Sequence, residues 1–236
     1  MVEMSPLEKL QVIPGWQEQV AGVAQLIGTT FKNQRLLTKT SLLGQLDRNQ
    51  QQVIEWLFSV QPADFNANMT FYGLAEPPHP NEFRVLRRYL NSLKGKRVLD
   101  IQYVPKPAYQ AFESMGKAME DEIGSDIRIS SAYRSPAFQA LVVCYNLRRH
   151  NYDVAYTFKY TALPGYSEHG LFPDVALDLQ FGGEEYVRTD RIEDFAATRE
   201  FKWLEKHASR FGFYLPYHKN NGAGLIFEPW HWRFKP

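Results

Sequence analysis

The chain closes on Glu228-Pro229-Trp230-His231-Trp232-Arg233-Phe234-Lys235-Pro236, where domains more often trail off in exposed polar residues. Trp230, Trp232 and Phe234 share one parity and His231 and Arg233 the other, which is the period of a strand with one face buried. Aromatic rings of this size dominate the cores they enter, so this terminus is expected to be a strand fixed into a core that the rest of the chain supplies. An upstream segment repeats the pattern. Val175, Leu177 and Leu179 alternate with Ala176, Asp178 and Gln180, so a strand here turns Asp178 away from the apolar row. Pro229 lacks an N–H and suits an edge or a bulge, which would let Glu228 aim where His231 aims despite its opposite parity.

A glutamate three positions before a histidine, set among tryptophans, reads together with Ser167-Glu168-His169 and Asp178 as a site. Metal-assisted hydrolysis is the chemistry that needs such groups. Catalytic zinc takes three ligands of the His, Asp or Glu type and leaves a fourth position open, and His169, Asp178 and His231 can supply those three. A base must still carry the proton from water to leaving amine, and Glu228 is the candidate.

At 236 residues with 44% apolar and 14% aromatic residues, the chain can bury a sizeable core and is expected to be folded throughout. Its 27 basic and 26 acidic residues leave a formal charge of +1, which gives no electrostatic case for nucleic acid. Cys144 is its one cysteine, so internal disulfides and thiolate zinc sites are excluded. It lies in an apolar run and reads as an inert buried thiol. No run approaches the roughly 18 apolar residues of a membrane span. Acidic residues stand near the start where a secretory leader would carry positive charge. The expected compartment is therefore cytoplasmic by default, with export by another route and a removed leader both left open.

Along the chain, Ser5-Pro6-Leu7-Glu8 combines a capping box with proline at the first helical position and predicts a short helix that Pro14-Gly15 ends. A second helix is predicted from Trp16 to Ile27 and a third over 40–59. Residues 61–81 read as an irregular, proline-rich connector holding His79, a solvated loop histidine. The basic run from Arg84 to Arg97 reads as a solvated helix face, with contact to an acidic polymer as the lesser reading. A helix from Pro107 to Glu122, a strand over Ile127–Ser130 and a helix opened by Ser135-Pro136 follow. Arg134 falls in the turn between that strand and helix, where working residues tend to sit. Residues 182–194 read as a polar loop. Phe195 to Phe211 reads as a helix closed by Gly212, carrying His207 as a structural histidine. Phe213–Leu215 and Leu225–Phe227 are expected to pair as a hairpin around His218 and the turn at 220–224.

In this order the pieces resemble the VanY-related zinc D-alanyl-D-alanine carboxypeptidase and LD-carboxypeptidase family. The matching segments are Ser131-Ala132-Tyr133-Arg134-Ser135 with Gln139, Pro164-Gly165-Tyr166-Ser167-Glu168-His169, Ala176-Leu177-Asp178, Gly212-Phe213 and Glu228-Pro229-Trp230-His231-Trp232-Arg233. The resemblance runs from about residue 97 to the end. It implies an α+β fold, a small antiparallel sheet flanked by helices (hedgehog/DD-peptidase-like), with an N-terminal helical extension. The implied division is a helical extension and connector over 1–80 and a zinc carboxypeptidase domain over 81–236.

The resemblance further implies that His169, Asp178 and His231 hold Zn2+ and that Glu228 is the general base. Arg134 would stabilise the oxyanion or hold the substrate, a task suited to a fixed guanidinium fork. Ser167 and Gln139 would bind the terminal residue of the peptide. The implied activity is removal of a C-terminal D-alanine, by a D,D or an L,D cut, from a peptidoglycan stem peptide or muropeptide. Two other readings stand beside it: a phage-lysin-like endopeptidase of the same family, and a zinc-bearing binding or signalling module without turnover. One departure is visible. Asp178 lies nine positions after His169, two more than in the family's H-x-x-G-x-A-x-D pattern, and Asp174 stands at the glycine's place as a rival ligand. The Ala-x-Asp context and strand parity favour Asp178.

Overall fold

The computed structural model describes residues 4–65, 68–91, 97–181, 192–221 and 226–236. The N-terminal helices are α1 (Pro6–Gln11), α2 (Trp16–Leu26), α3 (Lys39–Leu43) and α4 (Arg48–Ser59). The strands β1 (Phe83–Asn91) and β2 (Arg97–Pro105) lead into α5 (Lys106–Ile123), β3 (Ile127–Ser131), α6 (Pro136–Arg149) and α7 (Val154–Tyr160). After these come β4 (Ala176–Phe181), α8 (Ile192–Ala197), α9 (Arg199–His207), β5 (Phe213–Tyr214) and β6 (His231–Phe234). The fold is α+β, with a small antiparallel sheet and flanking helices, as the sequence predicts.

Several of the helices begin where a side-chain oxygen satisfies an orphan N–H group. Ser5 and Glu8 close the predicted capping box on α1. Where one helix was expected over 40–59, the structure has α3 and α4. Asp47 accepts from Gln50 N at 2.9 Å while Gln50 Oε1 accepts from Asp47 N at 3.2 Å, and this second capping box starts a new helix. The helix expected from Phe195 to Phe211 is likewise interrupted. Thr198 caps α9 by accepting from Phe201 N at 3.1 Å, α8 already covers 192–194, and Ala208–Phe211 tightens to a 3-10 turn.

The chain divides into two compact units. The first contains residues 4–65, 68–77 and 134–170, and its core is formed by α2 against α4 and α6. Val20, Val23 and Ala24 of α2 meet Val53, Ile54 and Leu57 of α4 and Leu141, Cys144 and Leu147 of α6. Ser135 caps α6, and its neighbour Pro136 stands at the first turn, where a missing N–H costs nothing.

The second unit contains residues 78–91, 97–133, 171–181, 192–221 and 226–236. Its sheet runs β3-β4-β6-β5 with antiparallel neighbours throughout. Leu177 lies opposite Trp232, and Trp232 packs on Phe201 of α9 with ring centroids 6.3 Å apart. Trp232 is thus buried under α9, 2% exposed, while Trp230 lies against Phe195 of α8 and Phe234 against Phe213 of β5.

Two expectations fail here. Over its described residues, 84–91 and 97, the basic run is strand and not helix: β1 and β2 form an antiparallel ladder from Phe83↔Pro105 to Asn91↔Arg97. Phe83 is buried while Arg84 and Arg87 are exposed, one on each face of the strand. The expected hairpin between Phe213–Leu215 and Leu225–Phe227 is replaced by direct pairing of β5 with β6, Phe213 opposite Phe234. Ile226 and Phe227 are in no strand, while Leu225 and the turn residues 222–224 lie outside the described residues, as do 182–191 of the expected polar loop.

Candidate metal centre

Asp178 of β4 and His231 of β6 are direct cross-strand partners. Residues opposite one another in an antiparallel pair project to the same face, so the register alone brings the carboxylate to the imidazole. Asp178 Oδ1 lies 3.1 Å from His231 Nδ1. The backbone beneath is tied down as well, since Ser130 Oγ donates to Asp178 O at 2.9 Å. His231 is 4% exposed, and its ring lies against Tyr217 with centroids 4.8 Å apart.

Glu228 reaches this place through a turn. His231 N donates to Glu228 O at 3.0 Å, and Glu228 N donates to Tyr217 O at 3.0 Å. Pro229, buried at the corner, needs no N–H partner. The turn leaves Glu228 Oε2 3.8 Å from His231 Nδ1, with the two side chains 17% and 5% exposed. The proline-assisted redirection expected from the sequence is what the chain does.

His169 is carried by a 3-10 turn, Glu168–Gly170, and is 2% exposed. One ligand atom from each of His169, Asp178 and His231 lies within 4.8 Å of the other two. Two imidazoles and one carboxylate are a donor set that zinc takes in hydrolytic sites, and donors sharing a zinc at about 2.0–2.2 Å stand roughly 3–4 Å apart. At up to 4.8 Å the three side chains stand close enough that small rotations would let them share one divalent ion. Asp174 is not part of this group.

Arg134 is joined to the His169 turn by backbone, its N–H donating to His169 O at 3.0 Å. Its Nε donates to Gln139 Oε1 at 2.5 Å, and Gln139 Nε2 donates in turn to Ala162 O at 2.5 Å. Gln139 is 1% exposed. Each end of its amide thus makes a hydrogen bond within the protein, one of them to Arg134. Ser167 is 6% exposed, and its carbonyl accepts from Gly170 N at 2.9 Å.

The remaining histidines serve elsewhere. His79 caps the short turn Pro80–Glu82, and His207 lies against Trp203 with centroids 4.9 Å apart. His218 is exposed and its Nδ1 meets Lys219 O at 2.8 Å. Cys144 is fully buried, and burial pushes its thiol up to about 12, as expected of an inert cysteine. Two residues of the neighbourhood escaped the sequence reading. Glu168, quoted there as part of a motif but given no role, is 3% exposed and accepts from Tyr72 Oη at 2.9 Å. Tyr217, which both flanks His231 and holds Glu228 N, carried no local signal beyond its aromatic side chain. Among the described residues, no helix is long and apolar enough to cross a membrane.

The family described as VanY: D-alanyl-D-alanine carboxypeptidase matches residues 101–236. The bifunctional D-Ala-D-Ala dipeptidase and D-Ala-D-Ala carboxypeptidase VanXYC of Enterococcus gallinarum is 33% identical over 139 residues, which are 57% of this chain and 68% of that protein. The D-alanyl-D-alanine carboxypeptidase of Enterococcus faecium is 30% identical over 153 residues, 63% of this chain and 43% of the relative. The putative carboxypeptidase YodJ of Bacillus subtilis is matched over 46% of its length at 29% identity, so this chain spans under half of those two relatives. Among solved structures, the LdcB LD-carboxypeptidase aligns with a TM-score of 0.47 at 29% identity, over 56% of this chain and 59% of that one. A VanY D,D-pentapeptidase solved with Zn(II) aligns with a TM-score of 0.46 at 20% identity, over 71% and 85%. With the family match covering more than half its length, the chain belongs to the VanY D-alanyl-D-alanine carboxypeptidase family.

Proposed function

We propose that this protein is a zinc-dependent carboxypeptidase that removes the C-terminal D-alanine from peptidoglycan stem peptides. The observation that carries the reading is the convergence of His169, Asp178 and His231 within 4.8 Å, with Glu228 Oε2 3.8 Å from His231 Nδ1. His169, Asp178 and His231 would hold the metal. Zinc in such a site lowers the pKa of water to about 7 and polarises the carbonyl to be cut.

Glu228 has the reach and the half-enclosed setting of a general base. It takes a proton from the attacking water and returns it to the leaving D-alanine amine, a role that contributes about 10²–10⁴-fold in rate. Arg134, kept in one orientation by Gln139, presents a permanent positive charge to the oxygen that becomes negative as the carbonyl carbon turns tetrahedral. Ser167, in the turn beside His169, offers a hydroxyl to the peptide's terminal residue. The family description and the VanXYC relative, whose names specify D-Ala-D-Ala, favour the D,D bond over the L,D one.

The test is mass spectrometry of pentapeptide and tetrapeptide muropeptides incubated with the protein, with and without a chelator. Loss of one D-alanine from the pentapeptide, abolished by chelation and restored by zinc, is the expected result. Intact muropeptides after prolonged incubation with the zinc-loaded protein would overturn the assignment.

A further inference from the structure

The family match begins at residue 101, yet the turns that carry Arg134 and His169 are held by residues far upstream of it. Ser135, next to Arg134, gives its N–H to Arg35 O at 2.8 Å and its hydroxyl to Leu37 O at 2.6 Å. The loop leading to His169 is strapped by the segment around Tyr72. Tyr72 N donates to Gly165 O at 2.7 Å, Tyr72 Oη donates to the carboxylate of Glu168 at 2.9 Å, and Phe71 lies on Tyr166 with centroids 5.1 Å apart. Tyr166 Oη reaches further back, to Gln61 Oε1 at 2.5 Å.

The fit leaves little slack. Gly165 has φ +83°, and a Cβ there would stand 2.8 Å from Phe71 Cε2, 2.9 Å from Leu74 Cδ2 and 3.1 Å from Gly73 O. Glu168 is 3% exposed, so its carboxylate is stable only where hydrogen bonds replace water, and the Tyr72 hydroxyl is one of the groups that do so. Glu168 immediately precedes His169 in the same 3-10 turn, and the carbonyl of His169 accepts the Arg134 N–H. Whatever fixes Glu168 therefore fixes the backbone from which His169 projects and against which Arg134 is set.

We propose that Tyr72 is a positioning residue of the metal centre: through Glu168 it holds the turn that presents His169, so the N-terminal region is a working part of the site. This rests on the reading of His169, Asp178 and His231 as zinc ligands. Supporting groups beyond the ligands commonly tune metal affinity by about 10–100-fold, and Tyr72 lies outside residues 101–236, the part of the chain that the family model matches.

The experiment compares zinc affinity, by competition with a chromophoric chelator, in the wild type, Tyr72→Phe, Glu168→Gln and the double variant. Tyr72→Phe keeps the ring and removes one hydroxyl. It is expected to weaken zinc binding by about 10-fold. The double variant should be no worse than Glu168→Gln alone, because both act through one contact. Trp56→Phe, which removes the bond from Trp56 Nε1 to Pro6 O at 2.7 Å in the same unit, is the stability control. It should lower the melting temperature without changing zinc affinity. If the wild type binds zinc and Tyr72→Phe binds it equally well, or if Trp56→Phe weakens zinc binding to the same extent, the positioning role is overturned and the metal centre stands. A wild type that takes up no zinc would sink the metal centre itself, and the positioning role with it.

Discussion

Replacing Ser135 by alanine tests how the N-terminal segment supports the turn that carries Arg134. The hydroxyl of this fully buried serine does two jobs: it accepts from Phe138 N at 3.1 Å as the cap of α6, and it donates to Leu37 O at 2.6 Å. Loss of an N-cap costs about 0.5–2 kcal/mol. Stripping a buried carbonyl of a partner costs about 1–3 kcal/mol more. The sum is roughly 2–4 kcal/mol once overlap between the two terms is allowed for. A chain of this size loses about 2–4 °C of melting temperature per kcal/mol, so the midpoint should fall by roughly 4–16 °C. Asp153→Ala supplies the reference, because Asp153 Oδ1 caps α7 at an exposed site by accepting from Tyr156 N at 2.9 Å; its loss should cost about 1 kcal/mol. Urea unfolding followed by tryptophan fluorescence measures both. A Ser135→Ala cost no larger than that of Asp153→Ala would refute the reasoning, since it would mean that the bond to Leu37 contributes nothing.

Other outcomes follow from the same geometry. Glu228→Ala should keep its zinc and lose turnover by about 10²–10⁴-fold, measured as D-alanine release at saturating metal; an active variant would remove Glu228 from the role of base. The Cys144 thiol, pushed by burial from 9.0 to about 12, should resist alkylation at pH 8 in the native protein and react at once in denaturant. The same shift carries a sign for stability. The folded chain holds the thiol proton more tightly than the unfolded one, so this contribution is complete below about pH 9 and is lost as pH rises toward 12.

The approach of Asp178 to His231 could be read from alternation alone. Asp178 and His231 each stood opposite an apolar row, and two such strands paired antiparallel bring such residues together. The register that makes them direct partners is a tertiary fact. Pro229 announced the turn that redirects Glu228, because proline at the start of a strand has few other uses. The helix breaks at Asp47 and Thr198 were legible in principle, since each residue is a good cap, but an uninterrupted apolar periodicity outweighed them. The strand β1 was hidden because Arg87 stands on the same face as Phe83 and Val85 and breaks their period-two signal. The bond from Tyr72 to Glu168 spans a sequence separation of 96 residues. No local pattern encodes such a contact, so the supporting role of the N-terminal segment emerges only from the fold.

The most direct measurement is zinc content by elemental analysis of the purified, metal-loaded wild type beside His169→Ala, Asp178→Ala and His231→Ala. A three-ligand site predicts about one zinc per wild-type chain and a large loss in each variant. A wild type without zinc, or variants that all retain it in full, would contradict the account.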